Sequence, residues 1–302
     1  MKLVTFKKNA ELGLGVKTTE GIVDVEKALA HAGSSTAGVP TSVMEAIEQG
    51  EAGTKALEQL LADLSASDSY RSCLLDEAEI EYGPCVTHPN KIICVGLNYR
   101  KHAEETNSPI PEYPILFNKF NNTLTGHGSE VTLPKVSSKV DYEAELVIVI
   151  GKKAKDVSKE EALSYVYGYC NVNDLSARDL QLRTPQWLLG KTCDGFSPLG
   201  PYLVTADEVG NPNDLSIKCF VNGEERQNSN TSDMIFHCDE IVSYISKHMT
   251  LVPGDIILTG TPEGVVMGYP KEQQVYLADG DEVTIEIEKL GRLTNKMVQE
   301  QV

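Results

Sequence analysis

The chain has 302 residues, which is long for one ordinary small domain and points to two units, or one large unit with an appendage. It carries 44 acidic and 27 basic residues, a net charge of −17, so nucleic acid and anionic membrane are excluded as natural partners. Any anion-binding site must then be built locally, from lysine, arginine or a metal.

Residues 1–85 read as a small α+β unit. Lys2 to Phe6, Leu12 to Lys17 and Gly21 to Val25 have the composition of short strands, and Glu26 to His31 that of a short helix ended by Gly33-Ser34-Ser35. Ser42-Val43-Met44-Glu45 is a capping box that opens a helix stopping at Gly50. Thr54 to Leu64 places Leu57, Leu60, Leu61 and Leu64 at helical spacing. No chemical constellation appears in this unit, whose expected role is packing.

From Pro84 onward, short apolar runs alternate with Gly/Pro/Asn/Asp turns. Strands are expected at Ile92 to Val95, Ile115 to Phe117, Leu146 to Ile150, Tyr202 to Val204, Ser216 to Val221, Ile256 to Thr259 and Val283 to Glu288. Asn222-Gly223 signals a hairpin. Helices are expected from Ser158 to about Tyr167, and over Asp239 to Met249. This texture predicts a β-rich α+β domain over residues 86–302, not a doubly wound α/β sheet.

Seven cysteines with no C-x-x-C pair argue against both a disulfide framework and a zinc knuckle. The first residues lack the apolar core of a signal peptide, and no run reaches the ~20 apolar residues of a membrane span. Cytoplasm is the compartment expected from these features.

Several familiar motifs are absent. Gly190-Lys191-Thr192 would need a glycine where Pro185 stands to complete a P-loop, and neither H-E-x-x-H nor a G-x-S-x-G elbow occurs. What remains is a set of acids and a few polar groups. Asp141, Glu143 and Glu145 alternate just before Leu146 to Ile150, and in an extended strand all three share a face. A hard divalent cation and a solvated acidic strand end both account for that pattern. His102 and Glu105 share one face of a helical turn, as a base with its orienting carboxylate or as a surface ion pair. Asp174, ahead of Arg178 and Gln181, has the position of a helix N-cap. Lys191, in a glycine-punctuated loop, is a surface residue or the local cation for an oxyanion. Thr259-Gly260-Thr261-Pro262 is a turn whose N–H groups and Thr261 hydroxyl could hold a carboxylate.

Taken in order, five segments resemble the fumarylacetoacetate hydrolase family. They are Gly96-Leu97-Asn98-Tyr99-x-x-His102-x-x-Glu105, Asp141-Tyr142-Glu143-x-Glu145-Leu146, Asn173-Asp174-x-x-x-Arg178-Asp179-x-Gln181, Gly190-Lys191-x-x-Asp194 and Thr259-Gly260-Thr261-Pro262-x-Gly264-Val265. The resemblance implies a mixed β-roll catalytic domain, usually a homodimer, with Mg²⁺ or Mn²⁺ held by Glu143, Glu145 and Asp174. It places His102, Glu105 and Lys191 in catalytic roles and Arg178, Gln181 and Thr261 against substrate. Asp141 is expected just outside the metal ligands. Many members carry a hydroxyl residue where this chain has Gly195. The implied activity is metal-dependent C–C bond cleavage of small 2-oxo acids through a stabilised enolate, either hydrolysis of 3-acylpyruvates or decarboxylation of oxaloacetate. An isomerase or hydratase of 2-hydroxy-dienedioates, and a non-catalytic partner-binding protein, are the alternatives.

Overall fold

The strand Ala144–Ile150 is buried at every position, and this explains its unbroken apolar run. Leu146, Ile148 and Ile150 enter one hydrophobic core, and Val147 and Val149 enter another on the opposite face. The computed structural model describes residues 1–8, 11–32 and 37–301; the Gly33-Ser34-Ser35 helix stop lies outside them.

Ala144–Ile150 lies inside an 11-stranded mixed sheet. On one side it pairs with Val166–Asn173, which pairs with Ser197–Thr205. On the other it pairs with Ile256–Leu258, then Ile92–Gly96 and the edge strand Ile115–Lys119. The N-terminal strands continue the same sheet: Lys2–Lys8 pairs with Ser197–Thr205, and Glu11–Lys17, Ile22–Asp24 and Leu74–Leu75 follow outward. A second sheet of five strands runs Glu224–Asn230, Ser216–Val221, Glu282–Ile287, Gly291–Gln299 and Glu130–Leu133. It shares the first core with the helix Cys238–His248, while the helices Val43–Gln49 and Glu51–Ser65 cover the second. The mixture of sheets with helices is the expected α+β class. Among the described residues no helix is long and apolar enough to cross a membrane.

Local signals placed most elements correctly. Ser42 accepts the Glu45 N–H at 3.2 Å, as its capping box predicts. Asn222 and Gly223 both take positive φ, 52° and 80°, as a tight hairpin turn requires. Two expectations need correction. The helix opened by Ser158 ends after Lys159–Ala162 and a 3-10 turn, and Tyr167 lies in the strand Val166–Asn173. The three acids do not share one strand: Asp141 belongs to the two-residue strand Val140–Asp141, paired with Ser176–Ala177, and the chain leaves the pleat before Ala144. That short pairing separates Asp141 from its neighbours.

Candidate active site

A pocket of about 230 Å³ opens where the ends of Ile92–Gly96 and Ala144–Ile150 meet three short helices. Its polar end is formed by His102, Glu143, Glu145, Arg178, Gln181, Lys191 and Thr261; Val95, Leu97, Phe117, Trp187 and Met267 line the remainder. The side chains that the family resemblance assigns to metal, catalysis or substrate all lie in or beside this cluster. Glu105 and Asp174 reach it through their bonds to His102 and Lys191.

Glu143, Glu145 and Asp174 each offer an oxygen within 4.8 Å of the others, and all three are buried. Asp174 is not a helix cap. It follows the strand Val166–Asn173, and its own N–H donates to the Glu143 carbonyl at 2.9 Å. Asn173 fixes the other side of that crossing, accepting the Glu143 N–H at 3.0 Å. Lys191 Nζ donates to Glu143 Oε2 and Asp174 Oδ2, both at 2.7 Å. Burial lowers the pKa of Lys191, but Asp174 and Glu143 outweigh it and hold the ammonium above its usual range. Burial likewise pushes Glu143 up, yet Lys191 and Arg178 prevail and set its pKa at about 2. Glu145 differs. Its hydrogen bond comes from the Gly260 N–H at 2.8 Å, and no basic side chain pairs with it among the described residues. Burial, with Asp174 and Glu143 beside it, pushes its pKa well above the carboxylate range.

That imbalance is the test of whether a metal fits. Four buried acids, Asp141, Glu143, Glu145 and Asp174, face three buried cations, Lys119, Arg178 and Lys191. With every group ionised one negative charge would be left in a region of low dielectric, and the raised pKa of Glu145 expresses that cost. A divalent cation among three carboxylate oxygens reverses the sign to one positive charge, which suits an anionic ligand. Oxygen donors of this kind select hard cations such as Mg²⁺ or Mn²⁺.

The helix Arg100–Glu105 supplies the second group. His102 Nδ1 lies 2.7 Å from Glu105 Oε1, and the other Glu105 oxygen accepts the Gly264 N–H at 2.9 Å. With Nδ1 protonated toward Glu105, Nε2 is the basic nitrogen. The loop behind this helix is ordered at its start: Ser108 N–H donates to the Ala103 carbonyl at 2.8 Å, and Thr106 and Ser108 line the pocket.

Glycines in the motifs are there for packing. A Cβ on Gly190 would lie 2.4 Å from the Gln181 backbone nitrogen, so only glycine lets the helix carrying Lys191 seat against Arg178–Gln181. Gly260 has φ 96° and would meet Asn98 at 2.8 Å. Asn98 itself ties the turn down, donating to the Thr259 carbonyl at 2.7 Å and accepting the Phe236 N–H at 2.8 Å. Gly195 has φ 73° and does not line the pocket.

Two contributors, Lys119 and Gln227, escaped the sequence reading, and a third, Asp141, was singled out there without its partners. Asp141 receives Arg178 Nε at 2.9 Å and the N–H groups of Val266 and Met267 at 2.9 and 3.1 Å, so it anchors the arginine and the following loop. Lys119 is fully buried, donating to Asp174 and, at 2.6 Å, to the Phe196 carbonyl. Its strand period puts it on the same face as Phe117, and that was the available signal. Gln227 accepts the Ala144 N–H and donates to Thr261 Oγ1, both at 2.9 Å. Nothing in the polar strand Glu224–Asn230 marks it.

The family model described as Fumarylacetoacetate (FAA) hydrolase C-terminal matches residues 91–298. The chain belongs to the fumarylacetoacetate hydrolase family. It is 42% identical over 304 residues to oxaloacetate tautomerase FAHD2A, mitochondrial, of Bos taurus, covering 99% of this chain and 92% of the relative. Among solved structures it is similar to fumarylacetoacetate hydrolase from Exiguobacterium antarcticum, with TM-score 0.81, 31% identity and coverage of 99% and 100% of the two chains. It also resembles maleylpyruvate hydrolase from Sphingobium sp. SYK-6 in complex with manganese(II) and pyruvate, with TM-score 0.77, 31% identity and both chains fully covered. The expectation of a plainly cytoplasmic protein is corrected by the bovine relative, which is named mitochondrial. Free buried thiols fit any reducing compartment, and transit peptides lack the apolar core on which that expectation turned.

Proposed function

We propose that the chain is a divalent-metal enzyme that cleaves a C–C bond of small 2-oxo acids, by hydrolysis of 3-acylpyruvates or decarboxylation of oxaloacetate. The observation that carries this reading is the opening of the carboxylate triad and the His102–Glu105 pair onto one pocket. Glu143, Glu145 and Asp174 would hold Mg²⁺ or Mn²⁺. When bound, the cation supplies Lewis-acid polarisation of the 2-oxo group and a counter-charge for the electrons released on bond cleavage.

The remaining work falls to side chains. His102 Nε2 takes a proton from water for attack on the distal carbonyl, and Glu105 stabilises the imidazolium. Lys191 spends two donors on Glu143 and Asp174, which leaves a third for the oxyanion. Thr261 accepts from Gln227, so its own hydroxyl hydrogen is free for a substrate oxygen. Gln181 accepts from Arg178 Nη1 and keeps its amide N–H groups available. Loss of CO₂ from oxaloacetate needs no nucleophile, so His102 matters less there.

A second reading, keto–enol tautomerisation of oxaloacetate, is favoured by the name of the bovine relative. In that case His102 moves a proton at C3. The test is turnover of acetylpyruvate and oxaloacetate with Mn²⁺, together with decay of the oxaloacetate enol absorbance, for wild type, Glu143→Ala and His102→Ala. Cleavage predicts that Glu143→Ala loses all activity and that His102→Ala loses hydrolysis while keeping decarboxylation. Tautomerisation alone, with no cleavage of either acid, would leave the second reading standing. We also assign residues 1–85 a packing role and residues 86–302 the chemistry, since every candidate side chain follows Val95. A homodimer is the expected assembly, supported by the exposed Ile110, Tyr113, Leu182 and Leu189, and light scattering tests it.

A further inference from the structure

Arg178 stands between two spaces. One is the pocket above; the other is an outer cleft of about 300 Å³ that Lys139, Arg183 and Tyr276 also line. Leu182 and Met267 complete the shared wall. Backbone pairing gathers the three cations: Val140 pairs with Ala177, and the Arg178 N–H donates to the Lys139 carbonyl at 2.9 Å. The helix Arg178–Gln181 then carries the chain to Arg183, whose N–H closes on the Leu180 carbonyl.

Of these cations only Arg178 forms an ion pair among the described residues. Lys139 Nζ lies 5.9 Å over the Tyr276 ring. The acid in the cleft, Asp179, is committed elsewhere: it accepts the Ser137 hydroxyl at 2.6 Å and the Ser138 N–H at 3.1 Å. Arg178 gives Nε to Asp141 and Nη1 to Glu143 and Gln181, but its Nη2 is buried without a partner on a residue only 3% exposed. That nitrogen has no surface that a ligand in the cleft could reach, so Arg178 serves as wall and the cleft's own donors are Lys139 and Arg183. On a chain of net charge −17, Lys139 and Arg183, neither of them in an ion pair among the described residues, form with the engaged Asp179 a local reversal of sign.

We propose that this cleft is a second anion subsite, taking the distal carboxylate of a small dicarboxylic acid through Lys139 and Arg183, beside the wall that Arg178 forms. Its link to turnover rests on the reading of the inner pocket as a 2-oxo acid site. The subsite would make the protein prefer 2-oxo dicarboxylates over 2-oxo monocarboxylates.

Lys139 and Arg183 are exposed, so the double substitution Lys139→Ala/Arg183→Ala should leave the fold intact. Titration of the Mn²⁺-loaded protein with succinate and with propionate measures the preference directly. The variant is expected to lose about fivefold or more in succinate affinity, a typical scale for charge-assisted contacts at a partly exposed site, with propionate unchanged. The KM for oxaloacetate should rise by a similar factor at constant kcat, while that for acetylpyruvate stays put, and Lys139→Arg/Arg183→Lys should restore both. Succinate binding that is absent in the wild type, unchanged in the variant, or weakened no more than propionate overturns the subsite. If the wild type turns over neither keto acid, the inner-pocket reading fails, and the succinate-to-propionate ratio alone decides the cleft.

Discussion

Glu145 and Glu143 sit two positions apart and meet opposite surroundings. Glu143 is paired with Lys191 and Arg178, whereas Glu145 has a single backbone donor and two carboxylates for neighbours. A buried group whose charged form is disfavoured destabilises the fold until something neutralises it. Glu145→Gln should therefore shift stability in opposite directions with and without metal. After EDTA treatment the variant is expected to be more stable than wild type by about 1–3 kcal/mol, since it removes a carboxyl that must either bury a charge or take up a proton on folding. With Mn²⁺ at about 1,000 times its Kd the order reverses, because ligand at that level adds about 4.1 kcal/mol to the wild type. Paired melting curves at neutral pH measure both arms; a variant stabilised by Mn²⁺ as strongly as wild type would remove Glu145 from the ligand set. Lys119 makes a second case. It shares Asp174 with Lys191 and has no exposure, so Lys119→Met should strand a carboxylate oxygen and cost about 3–5 kcal/mol. Urea unfolding of the Mn²⁺-loaded protein reads this; an effect below about 1 kcal/mol would mean that Asp174 is satisfied without it.

At the level of elements, the site depends on two short helices packed closer than any side chain allows. A Cβ at position 190 meets backbone rather than a flexible side-chain end, so Gly190→Ala must push the Leu188–Lys191 helix off the Arg178–Gln181 helix. The expected result is destabilisation of about 1–3 kcal/mol, with loss of turnover exceeding the loss of stability because Lys191 moves with its helix. Comparison of kcat at a temperature where the variant is fully folded separates the two effects; normal kcat there would show that Lys191 need not be held so closely. The same elements show what a sequence can reveal. His102 with Glu105 was legible because local periodicity sets the pair, whereas Glu143 and Glu145 were told apart from Asp141 only by the family resemblance. The strand Val166–Asn173 was not legible. It is buried at all eight positions yet contains Gly168, Asn171 and Asn173, and its polar residues are tolerated only through distant partners. Asn171 donates to the Gly200 and Gly291 carbonyls, both at 3.1 Å, and Asn173 accepts from Glu143. The strand-face grouping of Asp141 with Glu143 and Glu145 failed for a related reason: Asp141 is set by a two-residue pairing with Ser176–Ala177, which leaves no trace in periodicity.

For the whole molecule, the continuous sheet raises the question of whether the catalytic portion can stand without residues 1–85. Leu3 pairs with Leu203, and Lys2–Lys8 covers the edge of Ser197–Thr205. On the sheet face beneath, Val147, Val149, Cys170, Val172, Leu199 and Leu203 share one core with Leu3, Leu14, Val16, Val23, Leu57 and Leu60. Removing the N-terminal strands and helices would expose a large part of that face and an unpaired strand edge. Each fully buried aliphatic side chain returned to water costs about 1.5–3 kcal/mol, and half a dozen of them together match the whole 5–15 kcal/mol by which a domain is stable. A fragment of residues 86–302 is therefore expected to be insoluble or molten, with Mn²⁺ failing to rescue it, although every proposed ligand and catalytic group is retained. Co-expression with residues 1–85 as a separate chain should restore solubility, since the lost contacts need no covalent link. Gel filtration, near-ultraviolet circular dichroism and Mn²⁺ titration of the fragment decide the matter. A monodisperse fragment that binds Mn²⁺ like the full chain would show that the N-terminal unit is an independent appendage, and that the second core is not needed to hold Ala144–Ile150, and with it Glu145, in place.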